Sequence, residues 1–341
     1  MRIATYNVEW MNALFSHDGR LIEDDGPSGR YGVTRGAQGA ALGRVLAAVD
    51  PDALLIVEAP DQNRRRTTVG QLETFADRFG LRQRRALLGF PSDTEQEIAL
   101  LYDPDRLSAE HDPRGERGEG RAEPPRFDTT FRVDLDNDGR PEPITFSKPP
   151  LELKVTAASG FAFRMIGVHA KSKAPHGAST PAEAVRDGIE NRRKQLAQCV
   201  WLRARVDRHL AAGEPVVVLG DFNDGPGLDA YEKLFGHSGV EIMLGLDRPP
   251  AERLTDPHAL MALGRRIGVA PATARFFLRD QGRYLQALLD YVMVSADLLA
   301  RGPVWRVWHP FDDPACYADA PLREALLTAS DHFPVAVDLP L

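Results

Sequence analysis

The stretch Glu214–Pro226, EPVVVLGDFNDGP, decides how the rest of the chain is read. Val216, Val217, Val218 and Leu219 form an unbroken apolar run, the pattern of a strand buried on both faces. Gly220 lets the backbone be approached closely. Asp221 and Asn223 lie two apart, so extended chain points both to the same side. Asp224, Gly225 and Pro226 then turn the chain. A carboxylate and an amide at the lip of a buried strand add little stability and are well placed for chemistry.

The same arrangement recurs outward from this stretch. Arg2–Val8 reads as a strand with Asn7 at its end, and Ala53–Val57 as another ending at Glu58. Phe161–Val168 ends at His169. Leu288–Val294 carries Asp290 near its start, and Asp331 and His332 stand at the entrance of Phe333–Leu339. One Asp or Asn at a strand end is a turn former, and one His is a satisfied surface or core residue. Jointly they describe a sheet protein that assembles a site from distant strand termini.

Helical spacing fills the gaps. Leu42, Val45, Leu46 and Val49 mark a helix stopped by Asp50-Pro51, and Val69–Phe79 marks a second, closed by Gly80. Thr180-Pro181-Ala182-Glu183 is a capping box opening a long helix whose inner face includes Ile189, Leu196, Val200 and Leu210. Leu228, Tyr231, Leu234 and Phe235 suggest a short helix. Phe127–Asp136 and Ile144–Thr156 read as two strands joined by Asn137-Asp138-Gly139. Ala300–Leu327 reads as connection, and Gly245–Tyr284 gives mixed helical signals without an assignment. Strands alternating with helices, with hairpin-like segments, predict a mixed sheet. The expected organisation is one domain over residues 1–341, with insertions near 16–35, 110–143 and 245–285.

Composition narrows the class. With 341 residues, 43% hydrophobic and 27% charged, the chain can bury a full core as an ordinary globular enzyme. No apolar run approaches the roughly 18 residues of a membrane span. Cys199 and Cys316 match no metal spacing, and the expectation is a reduced, cytoplasmic protein. A net charge of −7 weighs against a high-affinity grip on a nucleic-acid backbone. Arg64–Arg66 and Arg82, Arg84 and Arg85 are candidate pieces of a local basic cleft, or simply solvated surface.

Taken together the motifs carry a resemblance. Thr5–Trp10 (TYNVEW), Ile56–Pro60 (IVEAP), Val168–Lys173 (VHAKSK), Gly220–Asp224 (GDFND), Leu289–Ser295 (LDYVMVS) and Ser330–Val335 (SDHFPV) resemble, in order, the motifs of the endonuclease/exonuclease/phosphatase superfamily of metal-dependent phosphoesterases. The resemblance spans nearly the whole chain. It implies an α+β fold, a four-layered αββα sandwich of two packed mixed sheets flanked by helices, with the site at one edge of the paired sheets. It departs from the abasic-site endonuclease branch, which has a Tyr and an Asn in the region of His169, and Val57 stands where a Gln often precedes the family Glu.

Phosphoester hydrolysis requires a nucleophilic water, charge neutralisation and help for the leaving oxygen. On the family pattern Glu58, with Asn7 and Asp331, would hold Mg²⁺ or Mn²⁺ through hard oxygens. His332 would be a general base or phosphate contact, oriented by Asp290. Asp221 would position the water or take a second ion, Asn223 would donate to a phosphate oxygen, and His169 would donate to another or protonate the leaving group. Lys171 and Lys173 follow His169 at spacings of two and are candidate phosphate contacts, the alternative being solvated loop lysines. Glu9 can add a carboxylate. Asp134, Asp136, Asp138 and Gly139 resemble half of a Ca²⁺ loop, but Thr145 stands where a bidentate Glu belongs, so a polar hairpin turn is the better reading. The expected function is divalent-metal-dependent phosphodiester hydrolysis on nucleic acid. A small-molecule or lipid-headgroup phosphodiesterase, suggested by the acidic balance and the insertions, is the alternative, and an inactive binding scaffold the alternative of another class.

Overall fold

The computed structural model describes residues 1–116, 123–135, 139–175, 177–226, 235–264, 270–278 and 282–341. Its elements are β1 (Arg2–Asn7), α1 (Arg35–Val49), β2 (Ala53–Ala59), α2 (Thr68–Arg78), β3 (Arg85–Leu88), β4 (Glu97–Tyr102), β5 (Leu107–His111), β6 (Phe131–Val133), β7 (Glu142–Ile144), β8 (Leu151–Ala157), β9 (Ala162–His169), α3 (Pro181–Ala211) and β10 (Val216–Asp221). There follow α4 (Gly239–Leu244), β11 (Leu254–Thr255), α5 (Pro257–Gly264), β12 (Ala274–Leu278), β13 (Arg283–Ala287), β14 (Asp290–Ser295), α6 (Ala296–Leu299), β15 (Val304–Val307), α7 (Pro314–Ala318), α8 (Ala320–Ala329) and β16 (Val335–Asp338).

Two six-stranded mixed sheets result, in the orders β15-β16-β1-β2-β4-β3 and β11-β14-β10-β9-β8-β5. Each holds a parallel pair near its centre, β1 with β2 and β9 with β10, and the remaining pairs are antiparallel. The crossovers between the parallel partners contain α1 and α3. The chain thus repeats one device in its two halves, and Asn7 and Glu58, then His169 and Asp221, fall at the carboxyl ends of the parallel strands.

Alternation along the strands builds the layers. Val217 and Leu219 of β10 join Leu55, Val57, Leu100 and Val335 in the core between the sheets. Val216 and Val218 face the other way and pack with Trp201, Leu202 and Val206 of α3. Ala4, Tyr6, Leu54 and Ile56 meet α1, α2 and α8 on the opposite outer face. Both faces of each sheet are therefore covered, which is why the central strands read as unbroken apolar runs. The architecture is the expected α+β sandwich. The sheets meet closely enough that a Cβ on Gly167 would lie 2.3 Å from Leu55 Cδ1. Gly220, at φ 135°, would place a Cβ 2.0 Å from the Val168 carbonyl of the neighbouring strand, so only glycine fits.

Thr180 caps α3 as expected: its side chain accepts from Glu183 N, and Glu183 reaches back to the cap. Other expectations need correction. Ile144–Thr156 is not one strand; Pro149 and Pro150, which lack backbone donors, separate β7 from β8. Ala300–Leu327 contains β15, α7 and most of α8, short elements whose apolar repeats were too brief to register. Gly245–Tyr284 contains β11, α5 and most of the β12–β13 hairpin. Leu228, Tyr231 and Leu234 lie outside the described residues, as do Asp136 and Asp138 of the suggested Ca²⁺ loop; Asp134 accepts from Gly139 N at 2.9 Å. Among the described residues no helix is long and apolar enough to cross a membrane.

Candidate active site

The strand termini converge on a cleft of about 970 Å³ lined by Asn7, Glu58, His169, Asp221, Asn223, Asp331 and His332 among others. Local backbone explains the aim of several side chains. Glu58 is the extra residue of a β-bulge, where the pairing of β2 with β4 shifts between Val57 and Ala59, and its φ of 62° turns the carboxylate into the cleft. Glu9, Trp10 and Asn223 also have left-handed φ values of 48°, 57° and 49°. Strained non-glycine residues thus gather where the chemistry is expected.

His332 is buried, and its Nδ1 lies 2.7 Å from Asp290 Oδ2. Its Nε2 faces Asp221 Oδ2 at 4.0 Å and Asp331 Oδ1 at 3.9 Å. Burial alone would lower the imidazole pKa, but Asp290, Asp221 and Asp331 outweigh it and raise it well above its ordinary value. The three carboxylates thus favour the imidazolium form of His332. Asp221 accepts from Asn223 N at 2.8 Å and from Asn7 Nδ2 at 3.1 Å. Burial, with a contribution from Asp290, pushes Asp221 up to about 7. His169 Nε2 stands 3.8 Å from the same Asp221 oxygen. Burial first, then the charges of Lys148 and His332, push the pKa of His169 well down, so this ring is neutral.

Glu58 accepts from Trp10 N at 2.9 Å and from Asn7 Nδ2 at 3.4 Å, and burial raises its pKa despite these donors. Asp331 N donates to Glu9 Oε2 at 2.8 Å, and Glu9 is paired with Arg30. The early insertion thereby reaches the site, because Arg30 comes from it. Burial and the neighbouring Asp331 push Glu9 up to about 7.

The donor set suits a hard divalent cation. Glu58, Asp331 and Asp221 are oxygen donors crowded into one cleft, and burial disfavours the charged forms of Glu58 and Asp221 in the absence of a cation. Asn7 turns its Nδ2 toward the carboxylates, while its Oδ1 accepts from Glu9 N at 3.1 Å, so it is placed to hold Glu58 and Asp221 apart. Asp221, Asp290 and His332 also offer ligand atoms within 4.8 Å of one another. Asp290 lies against Nδ1 at 2.7 Å, the geometry of a His–Asp dyad, and leaves Nε2 turned toward Asp221 and Asp331.

The two lysines part company. Lys171 lines the cleft with its backbone anchored by Gln198 Oε1 at 2.8 Å. Lys173 also lines it, but its ammonium lies 2.5 Å from the buried Asp224. Sequence reading missed Lys148. It lines the cleft half-buried; burial lowers its pKa while Glu58 and Asp221 raise it, which places its charge within their reach. Pro149 and Pro150, which end the preceding loop, were the available signal. Four arginines of the two runs are paired with acids: Arg82 with Asp50, Asp52 and Asp103, Arg84 with Asp105, Arg85 with Glu73, and Arg66 with Asp61.

The sequence model of the Endonuclease/Exonuclease/phosphatase family matches residues 4–332. No curated protein matches the chain significantly. Among solved structures, an AP endonuclease from Archaeoglobus fulgidus superposes with TM-score 0.52 at 13% identity, covering 100% of both chains. A variant of the 3′ phosphatase NExo from Neisseria, bound to product DNA hairpin, gives 0.51 at 18%, again covering 100% of each. TDP2 from C. elegans gives 0.51 at 14%, over 99% of this chain and 74% of the other. These likenesses show the fold. The family match shows membership: the chain belongs to the Endonuclease/Exonuclease/phosphatase family, whose named activities all cleave phosphoester bonds.

Proposed function

We propose that this member of the Endonuclease/Exonuclease/phosphatase family hydrolyses phosphodiester bonds of nucleic acid with the aid of Mg²⁺ or Mn²⁺. The observation that carries the reading is the buried His332–Asp290 pair facing Asp221 in the cleft that also holds Glu58. The solved neighbours include proteins described as acting on DNA, which favours a nucleic-acid substrate.

Each role follows from charge state and position. Asp290 orients the His332 ring and stabilises its cation, which can then hold a phosphate oxygen and offset the charge that grows during displacement. That state makes His332 a phosphate contact and leaves the base to Asp221, whose pKa of about 7 suits removal of a proton from water. Asn7 and Asn223 fix the Asp221 carboxylate. Neutral His169 donates to the phosphate or to the leaving oxygen, and Lys148 and Lys171 add positive charge along the cleft. A divalent ion, held by Glu58 and Asp331, would neutralise the phosphate and polarise it toward attack.

The test is a paired assay of the purified protein with Mg²⁺, Mn²⁺ or chelator. One arm uses single- and double-stranded DNA and RNA; the other uses bis-p-nitrophenyl phosphate and p-nitrophenyl phosphate. Metal-dependent cleavage of polymer and of the diester is expected. Turnover of the monoester alone would contradict the reading.

A further inference from the structure

One surface of the cleft is unused by this mechanism. The β12–β13 hairpin pairs Phe276 with Leu285 and Phe277 with Tyr284. Strand alternation therefore gives the ribbon two distinct faces. Phe276, Leu278, Leu285 and Ala287 line the cleft, and Phe276 stands edge-on to His332 with ring centroids 5.6 Å apart. The other face is turned to solvent: Phe277 is 53% exposed and Tyr284 50%, with their rings 5.1 Å apart. The Arg275 guanidinium sits 3.4 Å over Tyr284 and 5.5 Å from Phe311, itself 42% exposed. Among the described residues no carboxylate pairs with Arg275, in contrast to the arginines tied up near β2 and β4. Exposed rings interleaved with a cation, continuous with an apolar wall beside the catalytic histidine, form a surface that asks for an occupant.

We propose that this hairpin is a stacking platform for the unpaired bases of single-stranded nucleic acid. One base lies against Phe276 and Leu285 beside the scissile phosphate, and a neighbouring base lies on the outer tier of Tyr284, Arg275 and Phe311. The inference rests on the phosphodiesterase reading of the site and names its substrate class. Three features select this occupant. Planar rings match the aromatic faces, phosphates match Lys148, Lys171 and Arg275, and a guanidinium set between rings suits bases better than the continuous apolar face a lipid surface needs. A duplex keeps its bases stacked away from such a platform, and a net charge of −7, with Arg66, Arg82, Arg84 and Arg85 paired to acids, disfavours the long cationic grip a duplex needs.

The experiment measures fluorescence anisotropy of a labelled twelve-nucleotide oligothymidine and of a twelve-base-pair duplex, with chelator present to prevent cleavage. The single strand should bind at least about 10-fold more tightly than the duplex. Tyr284→Ala should weaken single-strand binding by about 5–100-fold, the contribution of one stacked base, while Tyr284→Phe retains it. Both variants should melt with the unmodified protein, since Tyr284 is surface-exposed. Equal binding of the two oligonucleotides, or an unchanged affinity in Tyr284→Ala, overturns the platform. So does preferential binding of phosphatidylserine/phosphatidylcholine vesicles, or a change of oligomeric state in Tyr284→Ala without loss of oligonucleotide binding. Turnover of bis-p-nitrophenyl phosphate by the unmodified protein is measured alongside. Its presence with no single-strand preference defeats only the platform; its absence with every ion defeats the phosphodiesterase reading, and the anisotropy still decides the platform.

Discussion

Replacing Asp290 by Asn removes the charge that keeps His332 cationic while preserving the shape of the side chain. The 2.7 Å contact between Asp290 Oδ2 and His332 Nδ1 sets the size of the effect. Two unit charges at that separation, at an effective dielectric constant of about 20, interact by about 6 kcal/mol. Burial already opposes the cation, so His332 in the variant becomes neutral near pH 7. A cation that acts mainly on the charge developing in the transition state should cost kcat more than KM. The expected loss in kcat is about 10²–10⁴-fold, the range seen when a buried carboxylate partner of a catalytic histidine is neutralised. Asn keeps an oxygen against His332 Nδ1 and sets its NH2 where the buried, unpartnered Asp290 Oδ1 stood, so thermal melting measures what that donor costs the fold. The assay is steady-state hydrolysis of bis-p-nitrophenyl phosphate at saturating Mn²⁺, with thermal melting as the control and NMR titration of the His332 ring. A folded variant with neutral His332 and kcat within about 3-fold of the unmodified protein would refute the assigned role.

Other perturbations probe different parts of the account. Glu58→Gln should lower turnover by about 10³-fold or more and flatten the Mn²⁺ activation curve; an unaltered curve would remove Glu58 from the ion site. Because burial pushes Asp221 up to about 7, the base form exists only above that value, so the rate should rise with pH through about 7 and fall below it. The Asp221→Asn variant should lose that limb with most of the activity, and a profile flat from pH 5 to 9 in the unmodified protein would exclude Asp221 as base. Lys148→Met should reduce kcat/KM by about 10–100-fold with an unchanged melting temperature, whereas full activity would reassign the lysine to the cleft wall. Burial works against the charge of Asp52, but Arg82, the Arg2 backbone and Arg106 hold its pKa below the ordinary value. This stabilisation is present above the unfolded carboxylate pKa and is lost as pH falls through the lower native value. Arg82→Met should therefore cost about 1–3 kcal/mol at pH 7, the low side being favoured by partial exposure, and the cost should shrink toward pH 3 in denaturant melts. A pH-independent cost would show that packing, not charge, is lost.

The sandwich was legible because its central strands are covered on both faces. Val216–Leu219 and Leu54–Val57 are apolar without interruption for that reason, and each ends in a polar residue at a parallel-strand terminus. Asn7, Glu58, His169, Asp221, Asp331 and His332 could be found from that punctuation, and the structure brings them to one cleft. Lys148 escaped because it sits in a loop, where no periodicity marks it. The state of His332 escaped because it depends on Asp290, Asp221 and Asp331 arriving from distant positions. Sequence spacing could not show that Lys173 lies against the buried Asp224. The β12–β13 hairpin was illegible because both its faces carry large apolar residues, which erases the alternation that identifies a half-buried strand.

The most direct measurement of the central claim is hydrolysis of bis-p-nitrophenyl phosphate by protein stripped with chelator and then titrated with Mg²⁺ or Mn²⁺, beside the Glu58→Ala variant. The account predicts no turnover in chelator, saturable recovery with added ion, and no recovery in the variant. Turnover that persists in chelator, or full recovery in Glu58→Ala, would contradict it.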